Sequence, residues 1–512
     1  MRALIFADNK YQQQRMGILR APGAHRIATH LRNHSMEVEV IDFYLDWTIG
    51  EITAVIDAYL SKPTLFVGFS CSLMFDGTDN FKLIRDYIRV TAPDVKIVIG
   101  GYGTTQKGFN GADYYLEGYS EYAILALVDH LKDSNQPIKY ELDEYNNKVI
   151  YTKELYPVNK LTSLSIEYTS SDFIQANEVL SLETARGCIF KCKFCSFQLL
   201  GKSKLDYLRD ADEIRDELLT NYNKYGTTHY IVTEDTFNDT DQKVDMLYNI
   251  VKSLPFKLKF MGYVRADLLA AKPHNIDKMI EMGFTSMHFG IETFNDFAGQ
   301  TIGKGMPSAK LKETLVKLKE KYPEVYINGT FIVGLPGETE QDIRDTANWI
   351  KDTKTIDFWT FNPLMIPKKN KLIYSSEFTD NYLMYGYSKL TQPEIDIAEL
   401  NHPQLLYGSK IIPYMILWKN KVFDYFSAAK LSHELNQEAN MQKKVDAWTT
   451  FAITSLGINL AHTQQQTYSG VNPIDQELIK EKTIEFVNKY KISKIDYLTS
   501  ADGILSVSSD VK

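Results

Sequence analysis

The chain has 512 residues, of which 44% are hydrophobic and 24% charged, with a formal net charge of −8. That length exceeds one ordinary core and implies two or three domains of globular composition. The acidic balance gives no electrostatic reason to expect nucleic acid as the main partner, although it leaves room for a local basic patch.

The opening "MRALIFADNK" lacks the charged start, long apolar run and small-residue cleavage site of a signal peptide. No apolar stretch approaches the ~20 residues of a membrane span, and "IIPYMILW" (Ile411 to Trp418) is short and carries Pro413. Four cysteines and no secretory signal point to a reducing cytoplasm, with no membrane partner.

Residues 1–135 alternate between strand-like and helix-like periods, the pattern of a doubly wound α/β domain. "ALIF", "EVEVIDF", "LFVGFS", "KIVIGG" and "DYYLEG" read as its strands, with stretches such as "GAHRIATHLRNH" as helices between them. Ligands of such sheets sit beyond the strand carboxyl ends. Here those ends are Asp8–Asn9, Ser70–Ser72, Gly100–Thr104 and Glu117–Gly118. Residues 136–178 are polar and aperiodic and read as a connecting segment, with a hairpin near Asn146–Asn147.

From 179 to 370 the alternation resumes. "VLSLETA", "HYIVTED", "LKFMGYVRA", "SMHFGIET", "YINGTFIVGLP" and "FWTFNPLMI" are strand candidates separated by helical runs. Six such units predict a partial (β/α)6 barrel of the TIM type, whose chemistry gathers at the strand carboxyl ends. Residues 371–512 read as mainly helical, and their aromatics, Tyr374 to Trp418, suit an ordinary helical core.

Just after the first barrel strand stands "ARGCIFKCKFC", which holds three of the four cysteines, Cys188, Cys192 and Cys195. Closely spaced thiolates are soft ligands that select zinc or iron–sulfur clusters. Structural zinc takes four ligands, and the nearest downstream histidine is His229. Three thiolates fit a cluster that keeps one iron for a non-protein ligand. The competing reading is three small buried apolar residues, which is also the reading for Cys71. Ten histidines without an H-E-x-x-H leave a separate zinc hydrolase unsupported.

The Cys-x3-Cys-x2-Cys spacing, with aromatic Phe194 before the last cysteine, resembles the signature of the radical S-adenosylmethionine (radical SAM) superfamily. The resemblance implies a [4Fe–4S] cluster on Cys188, Cys192 and Cys195, SAM at its open iron, and a 5′-deoxyadenosyl radical that takes hydrogen from substrate. It further implies Glu234 or Asp235 at the SAM amino group, Arg265 at its carboxylate and Glu292 at its ribose. Gly334, Leu335 and Gly337 would then lie against adenine. Read one at a time, these residues equally suit helix caps, a surface ion pair and a turn. Only Cys71 remains for any auxiliary cluster, which argues against methylthiotransferases.

A doubly wound domain ahead of such a barrel resembles the cobalamin-binding class of that superfamily. The matching loops hold Ser70, Ser72, Gly100, Gly101, Glu117 and Gly118, small residues that let a flat corrin approach the backbone. The Asp-x-His-x-x-Gly motif of cobalt-ligating relatives is absent after Asp8. The expected activity is hydrogen abstraction from a small-molecule or peptide substrate, with cobalamin-dependent C-methylation as its leading form. Radical rearrangement or cyclisation stays open, and a flavodoxin or ferredoxin would supply the electron. Two alternatives stand beside it: a radical SAM enzyme without cobalamin whose N-terminal domain binds substrate, and a non-catalytic iron–sulfur sensor.

Overall fold

The structure is a computed structural model that describes residues 1–9, 19–71, 77–104, 108–176, 178–204, 206–369, 371, 374–401, 415–441, 451 and 473–500. Short, continuous apolar runs form strands buried on both faces, as parallel sheets require. β1 (Arg2–Ala7), β2 (Glu37–Asp42), β3 (Thr64–Ser70), β4 (Lys96–Gly101) and β5 (Tyr114–Glu117) pair in the order β2-β1-β3-β4-β5, all parallel. The helices between them start where the sequence supplies caps. Pro22 opens Pro22–Asn33, and Thr48 with Glu51 forms a capping box on Ile49–Leu60.

The sheet continues past the expected boundary at 135. β6 (Glu141–Leu142) and β7 (Lys148–Tyr151) form a hairpin, and β7 pairs in parallel with β5. Asp143 fastens the turn by accepting from the amides of Tyr145 and Asn147, and Asn146 takes φ +66°. The segment expected as a linker therefore contributes two strands to the N-terminal sheet. Its strands are too short to show a period.

The second sheet has six strands, all parallel and paired in the reverse of chain order. Its members are β8 (Val179–Leu182), β9 (His229–Val232), β10 (Lys259–Val264), β11 (Phe284–Glu292), β12 (Tyr326–Val333) and β13 (Phe358–Pro363). Leu180, Leu182, Tyr230, Val232, Phe260, Val264, Met287 and Phe289 pack outward into the main core. Alternate residues face the barrel lumen. There Val179, Ile231, Met261 and Tyr326 gather with Phe451 in a separate apolar floor. The expected class, a doubly wound domain followed by a partial barrel and a helical C-terminal region, is what the chain forms.

Of the C-terminal aromatics, Phe378, Tyr387 and Trp418 are buried together against the barrel, while Tyr407 and Tyr414 lie outside the described residues. Helix Tyr425–Met441 covers the barrel edge, where the Asn436 amide bonds both the amide (2.9 Å) and the carbonyl (2.8 Å) of Phe361 on β13. Helix Pro473–Thr499 returns to the N-terminal domain, inserting Phe486, Val487 and Tyr490 into its core. Among the described residues no helix is long and apolar enough to cross a membrane.

Candidate functional site

The cysteines occupy the loop that leaves β8 at its carboxyl end. Two backbone bonds tie this loop into a narrow finger, Cys188 N–H to Phe197 O (3.0 Å) and Leu199 N–H to Cys188 O (3.0 Å). Gly187 makes the turn possible at φ +94°, since a Cβ there would stand 2.7 Å from Leu199 backbone. Cys188 and Cys192 are buried and Cys195 half-buried. Burial pushes the Cys188 thiol up and the Cys195 thiol to about 12, and Cys195 also feels both other cysteines, which places the trio in one site. Phe194 packs against the main core and holds the finger down.

Among the described residues no three His, Cys, Asp or Glu side chains converge tightly enough for a single ion. The donor set is three thiols with cationic neighbours, which suits a larger, electron-rich group. Arg265, after β10, donates to Cys192 Sγ at 3.1 Å while its fork grips Asp267 at 3.0 and 2.6 Å. The pair read as surface-exposed in isolation thus has Arg265 buried and Asp267 half-buried, and Phe190 stacks under the guanidinium at 4.1 Å.

The other expected residues divide. Glu234 is committed, since it accepts from the Thr184 amide (3.2 Å) and hydroxyl (2.5 Å). Asp235 is half-buried, and burial pushes both carboxyls up to about 7. The Asp235 charge reaches Cys195 on one side and Tyr102 and Tyr119 on the other. Glu292 takes φ +69° and pairs with Lys304 at 2.9 Å.

The loop 334–337 is packed on one face by aromatic side chains. A Cβ on Gly334 would meet Trp418 at 2.3 Å, and one on Gly337 would meet Phe297 at 2.4 Å. Leu335 is fully buried, and the Gly334 carbonyl accepts from Tyr387 Oη (2.8 Å) and Asn420 Nδ2 (3.2 Å). These glycines make room for aromatic side chains on that face, so small residues there serve packing.

Between the two strand-end surfaces lies a cavity of about 580 Å3, within the ~300–1,000 Å3 typical of small-molecule and cofactor sites. Ser70, Gly100, Gly101 and Gly118 line it, as do Tyr102, Tyr119 and, from the barrel, Ser181, Glu183, Thr233 and Tyr263. Nothing lies within 4 Å of where a Cβ would project from Gly23 or Gly100, so these glycines keep the wall flat and open. Glu117 does not line the cavity. Its carboxylate is engaged by the amides of Gly103 (2.7 Å) and Thr104 (2.8 Å), and so shapes the loop. Ser72 lies outside the described residues.

The residues that join the two surfaces were not singled out from sequence. Arg186 is buried, donates to Glu183 (2.8 Å) and to Glu121 of the N-terminal domain (2.8 Å), and covers the Tyr119 ring at 3.9 Å. Arg26 completes the network on Glu183 at 2.7 Å, whose carboxyl is held down to about 2 by these guanidiniums despite burial. Lys202, buried beside them, is brought down to about 8 by burial and then by Arg186. No local sequence pattern marked this network, because Arg26, Glu121 and the pair Glu183–Arg186 come from separate segments.

A family model described as the radical SAM superfamily matches residues 182–350. An uncharacterized methyltransferase of Pyrococcus horikoshii is 22% identical over 366 residues, 68% of this chain and 76% of its own length. The anaerobic magnesium-protoporphyrin IX monomethyl ester cyclase of Cereibacter sphaeroides is 26% identical over 240 residues, 44% of this chain but 36% of the cyclase. Among solved structures, the radical SAM methyltransferase TsrM of Kitasatospora setae, with cobalamin and a [4Fe–4S] cluster bound, aligns at TM-score 0.58 and 13% identity, over 96% of this chain and 99% of that one. The cobalamin-dependent radical SAM enzyme OxsB aligns at TM-score 0.52 and 16% identity, over 96% and 72%. These structural likenesses are likenesses of fold.

Proposed function

We propose that the chain, whose residues 182–350 match the radical SAM superfamily, is a cobalamin-dependent radical SAM methyltransferase acting at an unactivated carbon. The cavity carries this reading, because it opens between the N-terminal strand ends and the barrel strand ends, and the charge of Asp235 is felt both by Tyr119 in its wall and by Cys195.

Cys188, Cys192 and Cys195 would hold a [4Fe–4S] cluster, and the glycine-lined wall of Gly23, Gly68, Gly100 and Gly101 a corrin. When bound, the cluster supplies one electron for cleaving SAM and the corrin supplies a methyl carrier. The chain's own residues do the rest. Asp235 offers a carboxylate to an ammonium beside Cys195, whereas Glu234, held by Thr184, fixes the strand end from which Asp235 projects. Arg265 sets positive charge against Cys192 and steadies an anionic cluster. Arg186 with Glu121 and Glu183 ties the two domains together beside the cavity. The fold likeness to TsrM and OxsB supports the cobalamin assignment.

The test is anaerobic. Protein expressed with hydroxocobalamin and supplied with iron and sulfide should carry a cluster and an extractable corrinoid. With reductant and SAM it should release methionine and 5′-deoxyadenosine or S-adenosylhomocysteine, and Cys192→Ala should abolish the cluster. No corrinoid alongside an intact cluster would give the cavity to substrate alone. No turnover of SAM by an intact cluster would leave only an iron–sulfur binding protein.

A further inference from the structure

Lys202, just beyond the cysteine finger, is used by none of these roles. It is 8% exposed, and a lysine is seldom buried so far without a carboxylate to pair with. Among the described residues its ammonium has one hydrogen-bond partner, the Leu200 carbonyl at 3.3 Å, and no carboxylate at ion-pair distance. That carbonyl also accepts from Tyr374 Oη at 3.0 Å. An ammonium has three donors, so Lys202 keeps capacity to spare.

The backbone is strained where it presents this side chain. Leu199 and Leu200 take φ +44° and +45° in succession, a left-handed conformation that costs a non-glycine residue of order 1–3 kcal/mol. Leu199 N–H holds the turn to Cys188 O, and Tyr374 holds it from the other side. Lys202 thereby lines a side pocket that shares Tyr102, Gly118 and Tyr119 with the main cavity. Pro157 and Asn159 stand exposed at its rim, so the pocket opens to solvent.

The two compartments differ in charge. Glu121 and Glu183 line the main cavity, whereas Lys153 and Lys202 line the side pocket with no acidic residue among those described. The carboxylates whose charge reaches Lys202 from outside have other partners: Arg186 takes Glu121 and Glu183, and Asp235 is the acid assigned to an ammonium. Burial brings Lys202 down to about 8, so it is still mainly charged at neutral pH. The pocket measures about 30 Å3, room for about two water-sized atoms. That suits the oxygens of a carboxylate and is too little for a phosphate.

We propose that Lys202 binds a carboxylate of the substrate in this side pocket. The carboxylate is the counter-ion that the buried ammonium lacks. A neutral amide would leave that charge uncompensated, and an ammonium would repel it. The assignment rests on the reading of the main cavity as the active site, since Tyr102 and Tyr119 are walls of both. Lys202 binds and orients, and takes no part in the radical step.

Saturation-transfer NMR on the full-length protein tests this with three probes of one shape: propionate, propionamide and propylamine. Propionate should bind in preference to both, and Lys202→Met should weaken it by about tenfold, the worth of a hydrogen bond to a charged group. Wild-type binding should fade on raising the pH, with a midpoint at about 8, whereas an ordinary lysine would hold propionate to about 10. Around that midpoint Arg186, Glu121 and Glu183 keep their charges and Tyr102, Tyr119 and Tyr374 stay neutral, while Asp235 ionises lower, at about 7. Lys153→Met, which removes the pocket's other cation, should leave the midpoint in place. Preference for propionamide or propylamine, propionate binding unchanged in Lys202→Met, or a wild-type midpoint at about 10 would overturn the proposal. Displacement of propionate by SAM from reconstituted protein would give the pocket to SAM and overturn the substrate assignment. The wild-type midpoint needs no variant, so it decides the matter even where a substitution prevents folding. Cluster assembly on wild-type protein is measured separately, and its failure would sink the parent reading while leaving the propionate result intact.

Discussion

Glu338 shows how far one buried side chain can depart from its solution behaviour. It follows Gly337, is 1% exposed, and accepts a hydrogen bond from Thr293 through one oxygen, while the other has no partner among the described residues. Burial pushes its carboxyl up to about 8 from an ordinary 4.5. In that window the native chain keeps a proton that the unfolded chain has released, so stability falls as pH rises and levels off above about 8. Glu338→Gln should flatten this slope, by up to about 1.4 kcal/mol per pH unit. Urea denaturation of both proteins across the window measures it, and parallel slopes would show that Glu338 is ionised in the native state. Asp235, also raised by burial, differs in kind: it is half-buried and its charge reaches both the cysteines and the cavity, as a ligand-binding acid requires.

The cysteine finger is an element whose shape depends on one glycine. Gly187→Ala sets a Cβ 2.7 Å from Leu199 backbone at a φ of +94°, a conformation costing of order 1–3 kcal/mol for a non-glycine residue. Iron content after reconstitution should fall several-fold while far-ultraviolet circular dichroism stays unchanged, and full iron loading would mean the finger tolerates another path. The trio itself was legible because thiolate chemistry is written in residue type and spacing. So were the barrel strands, whose apolar runs reflect two buried faces. Hairpin β6–β7 was only half legible, for Asn146–Asn147 marked the turn, but pairing of β7 with β5 depends on an edge that no local pattern records. Gly334 and Gly337 signalled a close approach without saying to what, and the Cβ side of each is taken by Trp418 and Phe297.

At the scale of the whole molecule, two of the buried charge clusters among the described residues fasten the N-terminal domain to later parts of the chain. One is Arg186 with Glu121 and Glu183 at the cavity. The other lies on the far side, where Lys494 of the last helix reaches Glu39 of β2 and the Ser171 carbonyl (2.8 Å), and Tyr490 Oη accepts from the Asp42 amide (2.9 Å). Buried pairs add little to net stability, but removing one partner strands the other, at a cost of about 3–5 kcal/mol. Arg186→Met should therefore destabilise the protein strongly, and because Glu121 is the partner left without another cation at hydrogen-bond distance, adding Glu121→Gln should restore part of the loss. Lys494→Met should cost a similar amount without responding to Glu121→Gln, since the clusters share no residue. Thermal unfolding of the three single variants and the two double variants separates these outcomes. Equal rescue of both by Glu121→Gln would mean that the clusters act as one clamp, and no rescue of Arg186→Met would mean that Glu183, not Glu121, is the carboxylate that Arg186 holds in place.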